Sequence, residues 1–123
     1  MKDVLFLDDD PKRTQAFVAK IPHATCVETA QEVIDILGSQ KKTHSLFLDH
    51  DLGGQIYVDS NRPDTGMEVV RWIEANQPTI DLIFVHTMNP GAGTEMTNRL
   101  EALGYNVRRI PFNLLINNIG YSK

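Results

Sequence analysis

The sequence predicts an α/β fold in which helices cover both faces of a five-stranded parallel sheet. Short apolar runs alternate with helical patterns five times along the chain, and such β–α units form parallel strands joined by right-handed crossovers. The third and fourth apolar runs, SLFLD and IDLIFV, are nearly continuous, which is typical of strands buried on both faces. We therefore expect one parallel sheet between two layers of helices.

The strands and helices are expected in strict alternation. The strands, in chain order, are residues 3–7, 24–28, 45–49, 80–85 and 105–110. Start signals precede four helices at Asp10-Pro11, Thr29 with Glu32 as a capping box, Asp64 to Gly66, and Asn89-Pro90. Stop signals follow at Pro22, Gly38 and Gly104, and a short last helix is expected within PFNLLINNIG.

Length and composition limit the class of protein. A chain of 123 residues suits one domain, 1–123, with an extended loop at about 53–65. No apolar run approaches the roughly 18 residues of a membrane span, and the N-terminus lacks a signal-peptide pattern. A single cysteine, Cys26, predicts no internal disulfide, no disulfide-linked partner and a cytoplasmic location. The net charge of −4 argues against broad coverage of nucleic acid but permits one phosphate or one nucleic-acid end in a local pocket.

Polar residues follow three of the expected strands at the point where each strand ends. They are Asp8, Asp9, Asp49, His50, Asp51, His86 and Thr87. In parallel α/β sheets the ligand site lies outside the carboxyl ends of the strands, so we expect these side chains to converge. The alternative, that they cap helices and solvate loops, suits Asp10 and Asp64. It suits the clustered acids poorly, because like charges repel unless a cation or protons compensate them.

The expected chemistry at this edge is metal-assisted phosphoryl chemistry. Carboxylates clustered without cysteine favour a hard divalent cation, Mg²⁺ or Mn²⁺, and the candidate ligands are Asp8, Asp9, Asp49 and Asp51. His50 and His86 add groups that exchange protons near neutral pH. Arg108 and Arg109 are candidates for a phosphate clamp, although at least one of them is expected to be solvated surface. Asp49 and His50 can share one pocket only if the strand turns between them, because adjacent strand residues face opposite sides.

Four motifs resemble response-regulator receiver domains over nearly the whole chain. VLFLDDDP resembles their first strand and acidic pair, and LFLDHDL resembles their phosphoacceptor strand. IFVHTMN resembles the strand that carries their switch hydroxyl, and RRIPF resembles the end of their fifth strand. The resemblance implies the strand order 2-1-3-4-5, Asp49 as the phosphoacceptor, Asp51 as a metal ligand through its backbone carbonyl, and Thr87 as the switch residue.

The sequence departs from that pattern at informative positions. Receivers carry a lysine before the final proline, where this chain has Ile110, and that lysine couples the phosphoryl group to switching. The stretch between Leu52 and Met67 is longer than the usual receiver loop, as a lid or substrate-recognition loop would be. His50 and His86 are also not standard receiver residues. The combination LDHDLGG, DTGMEVV, VHTMNP and PF is similar to a receiver-like family proposed to process cyclic phosphates.

That second resemblance implies a metal-dependent phosphoesterase acting on 2′,3′-cyclic phosphate ends of RNA or related nucleotides. In this hypothesis His50 and His86 are the acid and base in unassigned order, and Thr87, Asn89 and Arg109 bind the substrate. Asp49 is either a metal ligand or the nucleophile. Two other classes stay open: an atypical receiver that regulates a partner through phosphorylation of Asp49, and a non-catalytic module that binds a nucleotide or a partner.

Overall fold

The computed structural model describes residues 3–52 and 59–118. The strands are β1 (Val4–Leu7), β2 (Thr25–Val27), β3 (Lys42–Leu48), β4 (Thr79–Val85) and β5 (Val107–Arg109). The helices are α1 (Pro11–Lys20), α2 (Ala30–Ser39), α3 (Gly66–Asn76), α4 (Pro90–Ala102) and α5 (Phe112–Ile116). The predicted alternation of strands and helices is confirmed.

The five strands form one sheet in the order β2-β1-β3-β4-β5, and every neighbouring pair is parallel. This confirms the receiver-like strand order that the sequence motifs implied. Strands β1 and β3 occupy the interior of the sheet, so their carboxyl ends lie beside each other near its centre. That placement brings distant acidic residues together.

Alternation along the strands divides the core between the two faces of the sheet. On one face, Leu5, Leu7 and Leu48 pack with the buried residues of α2, α3 and α4. On the other face, Phe6 and Phe47 pack with Phe17 of α1 and Leu115 of α5. The helices therefore cover both faces, as the sequence predicted.

The helix signals were mostly located correctly. The Asp10 side chain accepts a hydrogen bond from the Lys12 amide and caps α1, and Thr29 and Glu32 form the predicted capping box. Gly104, with φ of 96°, follows α4 as the predicted stop. The stop predicted at Gly38 is wrong, because α2 continues through that residue to Ser39.

The predicted extended loop falls only partly within the described residues. Residues 53–58 lie outside them, and residues 59–65 form turns and bends before α3. Across the described ranges, the structure contains no helix that is both long and apolar enough to cross a lipid bilayer.

Candidate active site at the carboxyl edge of the sheet

The register of the three central strands positions the site. Leu7 lies opposite Leu48, and Leu48 lies opposite Val85. Each is the last residue of its strand, so the residues that follow, Asp8, Asp49 and His86, leave the sheet at the same level. All three are buried, with 1%, 4% and 2% of their surface exposed. The predicted convergence of acids and a histidine is present in the structure.

Asp8 is surrounded by donors. Arg13, in the first turn of α1, donates from Nε to Oδ2 at 2.7 Å and from Nη2 to Oδ1 at 2.9 Å. His86 Nε2 lies 3.0 Å from Oδ2, and the Asp10 amide donates to Oδ1. Burial raises the pKa of Asp8, but the hydrogen bonds from His86 and Arg13 outweigh it and lower the pKa to about 2. Asp8 is therefore ionised at neutral pH.

Asp49 is only partly satisfied. Its Oδ1 accepts a hydrogen bond from the His50 amide at 2.8 Å, whereas Oδ2 has no hydrogen-bond partner among the described residues. Arg13 Nη2 lies 3.6 Å from Oδ2. Burial raises the pKa of Asp49 to about 6; the charge of His86 opposes this shift and the charge of Asp8 adds to it. The side chain is a buried carboxylate with one open oxygen.

His86 is held between two aromatic rings. Its imidazole stacks on Phe6 with ring centroids 5.0 Å apart, and Phe112 contacts it edge-on at 5.9 Å. Because the Asp8 carboxylate only accepts hydrogen bonds, the His86 Nε2 that contacts it carries the proton. Nδ1 is buried and has no hydrogen-bond partner among the described residues. The ring is therefore fixed in orientation, with one nitrogen available to a ligand.

These three side chains form a group that fits a divalent cation. One ligand atom from each of Asp8, Asp49 and His86 lies within 4.8 Å of the other two. Carboxylates and imidazoles are common metal ligands, and the open oxygen of Asp49 is the kind of group that a metal satisfies. Two carboxylates against one guanidinium leave surplus negative charge, as a cation site requires.

The other predicted metal ligands lie nearby with different surroundings. Asp9 is half-buried at the same edge of the sheet. The Asp51 carboxylate is engaged by neighbours, since its Oδ1 lies 2.8 Å from His50 Nδ1 and accepts a hydrogen bond from Asn89 Nδ2 at 3.2 Å. Neither belongs to the three-residue group, so their roles as metal ligands stay predictions.

His50 belongs to a second cluster. Strand β3 ends at Leu48, so the alternation of sides no longer separates Asp49 from His50, and both are buried. The His50 ring contacts Asp51 through Nδ1 and the Ser60 hydroxyl through Nε2, at 3.0 Å. The two histidines therefore serve different neighbours, although both follow central strands.

Gly66 allows the second cluster to form. Its amide donates to the His50 carbonyl at 3.0 Å, and a Cβ at this position would overlap the carbonyl oxygen of Asp49. Only glycine permits the start of α3 to approach the end of β3 so closely. The DTG motif is thus part of the architecture of the site.

The predicted substrate-binding residues line the loop after β4 and the end of β5. Thr87 is buried, and its Oγ1 accepts a hydrogen bond from the Asn89 amide. Asn89 caps α4, because its Oδ1 accepts from the Ala92 amide. Arg109 is exposed and lies against Gly93, whose missing side chain leaves room for the guanidinium. Thr87 and Asn89 thus have structural roles as well, and their substrate contacts stay predictions.

Sequence reasoning missed two residues of these clusters. Arg13 is the cation nearest to both acids, and Ser60 is the hydroxyl on His50. Arg13 could have been found from the helix start at Pro11, because a residue in the first turn of α1 lies over the end of β1. Ser60 carried no signal, since it lies ten positions after His50 in the sequence. The expected lysine position, Ile110, packs among apolar side chains on the α1–α5 face.

Comparison with known families adds one finding. A family model described as the cyclic-phosphate processing Receiver domain matches residues 4–102, a range that includes β1 to α4 and both clusters. No curated protein matches the chain.

Proposed function

Since the chain belongs to the cyclic-phosphate processing receiver domain family, we propose that it is a phosphoesterase dependent on Mg²⁺ or Mn²⁺. Its proposed substrates are the 2′,3′-cyclic phosphate ends of RNA or related nucleotides. The observation that carries the proposal is the buried group of possible metal ligands, Asp8, Asp49 and His86, in which Asp49 Oδ2 has no hydrogen-bond partner among the described residues. A purely structural cluster would have satisfied this oxygen, because unpaired buried polar groups are costly.

In this proposal Asp8 and Asp49 hold the metal, with Asp9 and Asp51 as candidate additional ligands, and His86 positions Asp8 through its Nε2. When bound, the cation supplies charge stabilisation for the phosphate and acidifies a coordinated water. Residues of the chain prepare the place for it. Phe6 and Phe112 fix the His86 ring, and the bonds from Arg13 and His86 keep Asp8 ionised.

Opening a cyclic phosphate with water requires a defined exchange of bonds. A water oxygen bonds to phosphorus, one ring P–O bond breaks, and the departing ribose oxygen takes up a proton, which leaves a phosphate monoester. His86 is the better placed of the two histidines to exchange a proton with reactants, because its Nδ1 is open. His50 is the second predicted acid–base group, and because its ring is fully buried it would act through Ser60.

Arg13 is proposed to replace the missing receiver lysine as the cation that faces the phosphate. Its guanidinium spans Asp8 and Asp49 and is one-third exposed, so one edge is accessible to a ligand. Guanidinium groups bind phosphate oxygens through paired N–H donors. Thr87, Asn89 and Arg109 are proposed to contact the rest of the substrate.

The second candidate is an atypical receiver phosphorylated on Asp49. The open Oδ2 of Asp49 favours it, since that oxygen is free to attack a phosphoryl donor. The apolar position of Ile110 counts against it, because no lysine is present there to sense the phosphoryl group.

The test is phosphorus NMR of 2′,3′-cyclic AMP, and of a short RNA with a cyclic-phosphate end, incubated with the protein and Mg²⁺. We expect a monoester signal that EDTA abolishes and that His86→Gln does not produce. His23→Gln, at an exposed histidine outside both clusters, is the matched control and should react like the wild type. If neither substrate changes, the phosphoesterase proposal fails. Acetyl phosphate labelling that Asp49→Asn abolishes would then support the receiver.

A further inference from the structure

We propose that Ser60 is an activated nucleophile and that the Ser60–His50–Asp51 cluster is a second reactive centre, one that cleaves small neutral carboxylic esters. The proposal goes beyond the cyclic-phosphate activity and does not depend on it. It stands on the geometry of the cluster, in which a hydroxyl, an imidazole and a carboxylate lie in series.

The three side chains make the contacts that activation of a serine requires. Ser60 Oγ lies 3.0 Å from His50 Nε2, and His50 Nδ1 lies 2.8 Å from Asp51 Oδ1. Both distances fall within the range for a nucleophile and its base, and for the base and the group that orients it. Each of the three residues therefore occupies one position of a nucleophile–base–acid series.

The hydrogen-bond donors and acceptors fix the tautomer that the proposal needs. The Asp51 oxygen already accepts from Asn89 Nδ2, and a carboxylate offers only acceptors. His50 Nδ1 must therefore carry the proton in the contact with Asp51. In the neutral form of the ring, Nε2 then carries a lone pair that accepts a hydrogen bond from the Ser60 hydroxyl. His50 is thus arranged to remove the proton of Ser60.

The turn that carries Ser60 is hydrogen-bonded to α3. Arg71 of α3 donates from Nη1 to the Ser60 carbonyl at 2.7 Å and from Nη2 to the Arg62 carbonyl at 3.1 Å. The Thr65 hydroxyl also donates to the Arg62 carbonyl. These bonds hold the turn against the start of α3. A preorganised nucleophile is what such catalysis requires.

The base of the series is more deeply buried than the nucleophile. The His50 ring is fully buried, whereas Ser60 is half-buried. Among the described residues the exposed end of the series is therefore Ser60, and the proposal requires substrate and water to enter at that end.

Local charge indicates the class of substrate. The two arginines that contact this turn are each paired with a carboxylate: Arg71 with Glu68 at 2.8 Å and Arg62 with Asp64. With Asp51 behind the histidine, the described residues of the cluster carry no surplus positive charge to attract an anionic phosphate. A neutral ester fits this setting better.

The reaction is balanced within the cluster. Ser60 Oγ bonds to the ester carbonyl carbon while its proton passes to His50 Nε2. The bond from that carbon to the alcohol oxygen then breaks, and the alcohol leaves with the same proton. Water, deprotonated by His50, cleaves the acyl-serine and restores the hydroxyl. No oxidant, reductant or metal takes part.

The test is covalent labelling of the full chain with a fluorophosphonate, read by intact mass and peptide mapping in EDTA. The serine oxygen bonds to phosphorus and fluoride leaves. We expect one adduct, on Ser60, formed at least 100-fold faster than in the urea-unfolded protein. Ser60→Ala should abolish it, and Asp51→Asn should slow it at least tenfold. Ser39→Ala, which removes an exposed hydroxyl that donates to the Ile36 carbonyl, should label like the wild type.

Turnover gives the second readout. 4-Nitrophenyl acetate should be hydrolysed with a burst of one equivalent in the wild type and no burst in Ser60→Ala. A labelling rate in the folded protein equal to that in urea, or an adduct at another residue, would overturn the proposal. A folded His50→Gln variant that labels as fast as the wild type would overturn it as well.

Discussion

The two buried histidines occupy comparable positions and differ in what surrounds them. Each follows a central strand, and each contacts a carboxylate through one ring nitrogen: His86 contacts Asp8 and His50 contacts Asp51. The Asp8 cluster contains a guanidinium, a second acid and two open atoms. The Asp51 cluster contains a neutral amide and a hydroxyl, and both His50 nitrogens are occupied.

The difference shows how one edge of a sheet can hold two kinds of chemistry. An unsatisfied, negatively charged cluster favours a cation and the phosphate that comes with it. A satisfied, locally neutral series of hydrogen bonds instead favours proton transfer to a single hydroxyl.

The change that should disrupt both clusters is Gly66→Ala. The new methyl would overlap the Asp49 carbonyl. The start of α3 would move away, and the hydrogen bond from the amide of residue 66 to the His50 carbonyl would be lost. We expect a loss of about 3 kcal/mol or more in the free energy of unfolding, measured by urea denaturation. Gly91→Ala is the control, because its Cβ would have only Asn89 Oδ1 nearby, at 3.9 Å. That variant should match the wild type or gain up to about 1 kcal/mol.

Replacing the two histidines one at a time should affect metal binding differently, because each histidine belongs to a different cluster. His86→Gln should reduce opening of a cyclic phosphate by about 100-fold or more, and weaken Mn²⁺ binding measured by electron paramagnetic resonance. His50→Gln should cost roughly tenfold in the same activity and leave Mn²⁺ affinity unchanged. Equal losses of metal affinity in both variants would mean that the clusters form one metal site.

Replacement of Asp49 by asparagine should stabilise the metal-free protein at neutral pH. The folded pKa of about 6 lies above the ordinary value, so folding favours the protonated acid. That contribution is complete below about pH 4 and is lost as pH rises through 6. At pH 7 the free energy of unfolding of Asp49→Asn should therefore exceed that of the wild type by an amount on the order of 2 kcal/mol.

Measurements from pH 3.5 to 7.5 in EDTA would check the sign. The two proteins should have equal stability near pH 3.5 and diverge between pH 4 and 6. Asp8 contributes in the opposite sense: its folded pKa of about 2 makes both proteins lose stability as pH falls below about 4. An advantage for the variant that is the same at all pH values would contradict the assignment to Asp49.

The smallest of the four effects is expected on replacement of Arg13. Arg13 pairs with Asp8 and Asp49, so its charge competes with a metal for these carboxylates. Arg13→Gln removes that charge, and Mn²⁺ affinity should rise about tenfold. Phosphate binding to the metal-loaded protein should weaken. Lys12→Gln is the matched control, since Lys12 is exposed and adjacent in sequence. Unchanged affinity in Arg13→Gln would place the guanidinium outside the metal site.

The sequence predicted the fold well because its signals are local. Continuous apolar strands, the Thr29–Glu32 capping box and Gly104 each specify nearby backbone, and together they specify five β–α units. Convergence of Asp8, Asp49 and His86 followed from topology, since parallel strands end at one edge. The partners of these residues could not be predicted. Whether the His50 ring lies against Asp49 or Ser60 depends on how the chain turns after Leu48 and on where the turn before α3 lies.

The position of Arg13 on α1 has a mechanical consequence. In receivers the lysine after the fifth strand links the phosphoryl group to that part of the fold, whereas here the arginine belongs to α1 and Ile110 is embedded in apolar contacts. Helix α1 packs against α5. A ligand that drew Arg13 away from Asp8 would pull on the first turn of α1, and the displacement would reach α5 through that packing. Ligand binding in the pocket would thus move the α1–α5 face of the sheet, which lies opposite α2, α3 and α4.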